Sequence, residues 1–302
     1  DFGLVPQDYH LAALESILND SVSNDRLLRL DFLLTDAYLT LHRHIRKGRL
    51  HPKTLQRDDS GETADGDAVA SLERIHSGSA IAEIKSVEPR MVQYHLLKRA
   101  LKAYILAPGD DSVQQQRARV IALNLERWRW RNQWPDRYIY VNIPSFRLKV
   151  IENDSVWLNT AVIVGKRETP TPVLESVIRS FIIYPYWHVP HSISTREILP
   201  LLKTDASYLY RNNFEVLDYQ GRLVNADTLR WGGYGPEKFP FVLRQREGSE
   251  NTMGIIKFNF ANNHNVYLHD TSAKGLFRRS RRAFSHGCVR VQYAVSLAHY
   301  LV

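Results

Sequence analysis

Residues 285–290 read Ser285-His286-Gly287-Cys288-Val289-Arg290, and upstream of them stands Tyr267-Leu268-His269-Asp270. Cys288 is the chain's single cysteine, and residues 270–287 separate it from His269. A thiol attacks carbonyls as the thiolate, and a nearby imidazole can take its proton and hold the charge as an ion pair. His269 closes a stretch with strand character (266–269), which sets its ring at a sheet edge. Gly287 lets a carbonyl approach the backbone, so the amides of Gly287 and Cys288 are candidate donors to a developing oxyanion. Taken singly, these residues have plainer readings. A lone buried cysteine is more often a small hydrophobe than a nucleophile, and a lone histidine is usually a satisfied polar group. The spacing of His264, His269, His286 and Cys288 matches no structural zinc pattern, so no metal and no cofactor are expected.

Outward from this stretch the pattern is that of a sheet. Tyr138 to Ile143, Phe146 to Ile151 and Val156 to Val164 alternate with period two, and Asn153-Asp154 marks a hairpin turn between the last two. Further strands are expected over Val177 to Ile183, Met253 to Phe260 and Val266 to His269, and a closing helix over Tyr293 to Leu301. Residues 191–250, around Gly232-Gly233-Tyr234-Gly235-Pro236, read instead as mixed helix and loop, an insertion into the β-rich domain.

The first third has helical periodicity: Leu11, Leu14 and Leu18, then Leu27, Leu30, Leu34, Tyr38, Leu41 and Ile45 between a cap at Ser23 or Asn24 and a stop at Gly48. Residues 57–67 read as a polar loop, Pro89 to Ile105 as another helix, and Ala107-Pro108-Gly109-Asp110-Asp111 as a break. The helix from Val113 to about Arg131 ends in Arg127-Trp128-Arg129-Trp130-Arg131. Alternating Arg and Trp suits nucleic-acid stacking, but neighbours on a helix point to different faces. Trp128 docked on a core with the arginines facing water or carboxylates is therefore preferred, and no nucleic acid is expected. The fold class is α+β: a helical domain over 1–107, a linker and connecting helix over 108–135, and a β-rich domain over 136–302 carrying the 191–250 insertion.

Composition agrees with a folded two-domain protein. The 302 residues are 44% hydrophobic and 24% charged, which excludes a disordered chain, a collagen-like repeat and a small disulfide scaffold. No apolar run reaches the roughly 18–20 residues of a membrane-spanning helix. Forty Lys and Arg against 32 Asp and Glu leave a net charge of +8, which favours an anionic partner. Arg278, Arg279, Arg281, Arg282 and Arg290 concentrate that charge around Cys288.

The whole string Ser285 to Arg290, with His269 before it, resembles the active-site signature of the L,D-transpeptidases, the YkuD-fold enzymes of bacterial cell walls. Tyr138 to Pro144 is similar to that family's opening hairpin, Val164-Gly165 with Thr169-Pro170-Thr171-Pro172 to its Val-Gly…Thr-Pro segment, and Met253-Gly254-Ile255-Ile256-Lys257-Phe258 to its Gly-x-x-Lys-Phe strand. Gly3-Leu4-Val5-Pro6-Gln7-Asp8-Tyr9 and Leu125-Glu126-Arg127-Trp128-Arg129-Trp130 resemble the long YcbB-type members of Gram-negative bacteria. Those usually carry a peptidoglycan-binding module between the helical scaffold and the Leu-Glu-Arg-Trp helix, where this chain has about Ile105 to Val113. Gln292 stands where the family often has Asn.

The resemblance implies a YkuD-like catalytic domain with a capping subdomain over 191–250. Its implied activity is 3→3 cross-linking of peptidoglycan stems through a thioester on Cys288, with loss of D-alanine from a tetrapeptide donor. Stem hydrolysis, D-amino-acid exchange and lipoprotein attachment share that acyl-enzyme. The implied catalytic residues are Cys288, His269, Gly287 and Ser285, and the substrate contacts are Tyr267, His286, Arg290 and Trp187. A backbone carbonyl or Ser285 is expected to orient His269, since Asp270 points to the other face of the strand. Implied partners are donor and acceptor stems, carbapenem β-lactams as covalent inhibitors, and wall-synthesis proteins. The implied location is the Gram-negative periplasm, after export or processing or on an inner-membrane anchor, in keeping with a chain that opens in the body of a domain. A non-catalytic envelope scaffold is the alternative. A papain-like peptidase is disfavoured because its Cys precedes its His.

Overall fold

Ser23 caps the longest helix, its hydroxyl accepting the Arg26 amide at 3.4 Å, and Gly48, at φ 85°, ends it. In this computed structural model, which describes residues 2–19, 23–50, 64–75, 78–106, 112–130 and 134–302, the chain divides into two compact units, 1–135 and 136–302. The break expected at 107–111, most of the expected polar loop (57–63) and Arg131 lie outside the described residues.

The first unit is helical: α1 (Leu11–Leu18), α2 (Asn24–Lys47), α3 (Ala64–Ile75), α4 (Ala80–Ser86), α5 (Val92–Leu106) and α6 (Ser112–Arg129). The helix read as a connector, α6, packs along α5 within this unit. At its Arg-Trp end Arg127 is exposed, Trp128 is half-buried, and Arg129 faces a carboxylate but is fully buried, which the sequence reading did not anticipate. The Arg129 guanidinium donates to the Tyr94 hydroxyl, the Glu126 carboxylate and the Phe2 carbonyl. Glu126 in turn accepts from the Leu50 amide at 2.6 Å and from Trp130 Nε1 at 3.3 Å. A buried charge survives when it is paired and hydrogen-bonded on every side. This Arg is the hub of the unit, a role that apolar periodicity does not reveal.

The second unit is built on one sheet. Its strands are β1 (Arg137–Asn142), β2 (Arg147–Glu152), β3 (Ser155–Gly165), β4 (Ile178–Ile183), β8 (Ile256–Phe260), β9 (Leu268–His269), β10 (Ala283–Ser285) and β11 (Val289–Val291). They run in the order β1-β2-β3-β11-β9-β8-β4, with β10 beside the end of β3. Asn153 and Asp154 turn the β2–β3 hairpin with φ of 46° and 61°, the left-handed pair that a two-residue hairpin loop requires. One face packs Leu148, Val150, Val162, Val164, Phe258, Leu268, Val289 and Val291 against Ala294 and Leu297 of the closing helix, Ala294–Leu301. On the other face Ile163 and Ala161 meet Phe277.

Between β4 and β8 comes the insertion, whose sheet corrects the mixed helix-and-loop reading. Strands β5 (Trp187–His188), β6 (Phe214–Leu217) and β7 (Val242–Gln245) form a three-stranded antiparallel sheet in the order β5-β7-β6. It encloses its own core of Leu199, Leu202, Leu209, Phe214, Trp231, Phe239 and Leu243. The insertion thus begins at Trp187, ahead of residue 191. Strands of two to four residues are too short to show a period, which is why the sequence hid them.

Candidate active site

Strand register places the site. β11 runs parallel to β9 with Arg290 opposite His269 and Val289 opposite Leu268, and β8 sets Lys257 opposite His269 from the other side. Residues directly opposed in a sheet share a face. Lys257, His269 and Arg290 therefore form one row, continued on β3 by Ile163. Two residues earlier, on the same face, stand Tyr267 and Cys288.

Cys288 is half-buried. Its thiol lies 4.0 Å from the Asn265 carbonyl oxygen, and the amide and hydroxyl of Tyr267 stand near enough to favour its thiolate. Burial raises the thiol pKa, while the Tyr267 donors and the charges of Lys257 and Arg290 pull it down. Tyr267 sits between two partners, since its hydroxyl also meets Trp187, and burial raises its own pKa. Its ring stands edge-on to the His269 imidazole at 5.9 Å.

His269 is buried, and its Nδ1 meets the Asp270 carbonyl oxygen at 2.5 Å. The ring also reaches the Met253 carbonyl. Burial, with the Arg290 charge behind it, pushes the pKa down to about 3. Among the described residues no hydrogen bond joins the imidazole to the thiol. Parallel pairing sets Cys288 beside Tyr267 and His269 beside Arg290, so thiol and imidazole are diagonal neighbours. The orienting group is the Asp270 carbonyl, one of the two candidates. The Asp270 carboxylate is turned away, pairing with Lys274 and accepting the Ile255 amide.

The turn before the nucleophile is tied down on both sides. Gly287 adopts φ 116°, open to glycine alone without strain. Its amide donates to the Ser285 hydroxyl at 3.2 Å, which itself donates to the Cys288 carbonyl at 2.5 Å. The Gly287 amide is thus spoken for by Ser285, correcting its reading as an oxyanion donor, and Ser285 serves the turn. Thr171 donates to the Gly287 carbonyl at 2.7 Å, and the Lys166 amide to the Ser285 carbonyl at 2.9 Å. His286, read as a substrate contact, has its Nε2 against Glu197 Oε1 of the insertion at 2.6 Å.

Of the arginines, Arg290 is half-buried and its buried Nε lacks a hydrogen-bond partner among the described residues. Arg282 instead staples the sheet through the carbonyls of Val162 and Phe146, and Arg278, Arg279 and Arg281 are exposed. Sequence reasoning quoted Lys257 as part of the Gly-x-x-Lys-Phe strand without giving it a role in the site, and it passed over Glu197. The first was legible as a charge in the apolar run Ile255-Ile256-Lys257-Phe258, whereas nothing local marked the second. Among the described residues, no three His, Cys, Asp or Glu side chains are grouped to hold a metal, and no helix is long and apolar enough to cross a membrane.

Comparison with known proteins agrees with this architecture. Residues 1–101 match the Scaffold domain model. The "Putative L,D-transpeptidase" of Haemophilus influenzae is 32% identical over 233 residues, covering 76% of this chain and 46% of that protein, so the chain spans about half the length of the curated relative it matches. A solved structure of the Ldtfm-avibactam carbamoyl enzyme overlaps 63% of this chain and 59% of its own, at 10% identity and a TM-score of 0.26. Residues 136–302, more than half of the chain and the whole of its second unit, match the YkuD L,D-transpeptidase catalytic domain, and the chain belongs to that family.

Proposed function

We propose that this chain forms 3→3 cross-links in peptidoglycan. The Cys288 thiolate attacks the carbonyl at the L-centre of the diamino acid in a tetrapeptide donor. A C–S bond forms, the C–N bond to D-alanine breaks, and the departing amine takes a proton. An amine of a second stem then attacks the thioester, forms the new C–N bond and returns the thiolate. Two acyl transfers suit sulfur, which is both nucleophile and leaving group. His269, with Nδ1–H donating to the Asp270 carbonyl, presents a neutral imidazole that relays these protons.

The observation that carries the reading is the shared sheet face: a half-buried thiol, the Tyr267 donors, a neutral imidazole and two cations without a carboxylate between them. Such a face repels cations and takes anionic substrate, and stem peptides are rich in carboxylates. Arg290 supports this with its cationic guanidinium, and Trp187, which acts on the Tyr267 hydroxyl, lines the donor side. Carbapenems acylate the same sulfur in this reading, and the workplace is the periplasm. Hydrolysis, exchange and lipoprotein attachment differ in the acceptor alone.

Mass spectrometry with a defined tetrapeptide donor tests the proposal. A Cys288 adduct equal to the donor less D-alanine is expected, transferred intact when an acceptor stem is added. Cys288→Ala removes both. A protein that stays unmodified by donor and carbapenem alike is an envelope scaffold instead.

A further inference from the structure

We propose that Lys257 is the counter-ion of the Cys288 thiolate. This role deepens the reading of Cys288 as nucleophile and rests on it. Lys257 comes from the middle of β8, a strand whose alternate residues Ile256 and Phe258 are buried in the core. Register turns its side chain to the opposite face, next to His269. From there the ammonium stands 4.2 Å from the centre of the Tyr267 ring, and Tyr267 adjoins Cys288, one residue before the paired Leu268 and Val289. Lysine, aromatic face and thiol thus form one line across β8, β9 and β11.

Lys257 is half-buried, and no carboxylate lies within ion-pair distance of it among the described residues. A cation withdrawn from water calls for an anion. The nearby acids are committed elsewhere. Asp270 of β9 faces away and pairs with Lys274, and Glu197 of the insertion holds His286. The groups facing the thiol are Tyr267 and His269 from β9, Arg290 from β11 and Lys257 from β8. Two of these are cations, His269 is neutral, and the Tyr267 phenol is held protonated by burial. Of the set, the thiol is the member that ionises most readily to an anion. Arg290 acts on both the His269 imidazole and the thiol, and Lys257 reaches the thiol from the other side, against the Tyr267 ring. The charge of Lys257 also adds to the pull on the thiol that the Tyr267 donors exert. In the chemical cycle this cation has two tasks: it stabilises the attacking thiolate, and it stabilises the same thiolate when the acceptor amine expels it.

The test uses the single cysteine. Iodoacetamide alkylation of Cys288 across pH reports thiolate formation without any cell-wall substrate. In Lys257→Met the midpoint rises by about one unit, so alkylation near neutral pH slows about tenfold while the alkaline plateau stays put. Lys257→Arg restores the wild-type midpoint. An unmoved midpoint in Lys257→Met, or a lowered plateau alone, overturns the proposal. A reciprocal measurement on the wild-type chain guards against a variant that fails to fold. With lysines ¹³C-dimethylated, which keeps their charge, blocking Cys288 with iodoacetamide lowers the NMR titration midpoint of Lys257. A stationary midpoint overturns the counter-ion. If donor peptide leaves Cys288 unmodified while the alkylation midpoint shifts as stated, transpeptidation falls and the counter-ion stands. If donor peptide acylates Cys288 and the alkylation midpoint does not move, the counter-ion falls and transpeptidation stands.

Discussion

Tyr267 and Cys288 each immediately precede one of two paired parallel strands, and the Tyr267 amide and hydroxyl both pull the thiol pKa down. In Tyr267→Phe the ring remains as a face for Lys257, and the hydroxyl bond to the thiolate goes. A hydrogen bond to a charged group contributes about 1.5–3 kcal/mol, so acylation of Cys288 by donor peptide is expected to slow by roughly 10- to 100-fold. Thermal stability should change little, because the lost group faces the site. An acylation time course followed by mass spectrometry checks this, and a wild-type rate in the variant removes Tyr267 from the thiol's environment.

Burial, reinforced by Arg290, keeps the His269 imidazole neutral, with a pKa pushed down from 6.5 to about 3. The unfolded chain protonates this ring first as the pH falls, so its contribution to stability is complete above about pH 6.5 and is lost on the way down to about pH 3. His269→Gln, which cannot take up that proton, should show a shallower acid decline of the second unit over this window. Urea denaturation at a series of pH values, read as wild type minus variant, gives the slope. Parallel declines would mean that the imidazole is not withheld from protons.

Much of this site was legible in the residues alone. The strands with sustained period-two alternation appear within about three residues of their expected ends, because one buried face imposes that alternation on the sequence. The Ser-His-Gly-Cys string and its upstream His were legible as a constellation, but not as a geometry. Residues 270–287, which include β10, connect the two strands, and their count does not fix whether His269 faces Cys288 or Arg290. Register decides that, and register is a property of the assembled sheet. The Gly287 amide shows the same limit, since a donor's availability depends on where the Ser285 hydroxyl settles. The full burial of Arg129 was not legible, because a buried guanidinium depends on distant partners such as Tyr94 and the Phe2 carbonyl.

Those partners make Arg129 a stability determinant of the first unit. Arg129→Ala leaves the buried Glu126 carboxylate without its cation, and breaking such a pair costs about 3–5 kcal/mol. Arg129→Met combined with Glu126→Gln fills the volume, removes both charges and keeps acceptors for the Leu50 amide and Trp130. The double variant is therefore expected to be more stable than Arg129→Ala. Chemical denaturation of the three proteins, followed by helical circular dichroism, orders them, and a double variant no better than Arg129→Ala would show that the packing of the guanidinium outweighs its charge.

Gly254 joins the architecture to the chemistry, since it follows Met253, whose carbonyl meets the His269 ring. It adopts φ 63°, and a Cβ placed on it would lie 2.4 Å from the Asp270 carboxylate. Gly254→Ala therefore incurs a backbone penalty of about 1 kcal/mol and a clash with a side chain that is held on one side by Lys274 and on the other by the Ile255 amide. Because the carbonyl of this same Asp270 fixes His269 Nδ1, relieving the clash moves the imidazole. The expected outcome is a modest fall in melting temperature together with a loss of acylation larger than that fall explains, and Cys288 alkylation by iodoacetamide close to wild type. Equal losses of alkylation and acylation would place the damage at the thiol, and His269 would then have no separate part in the reaction.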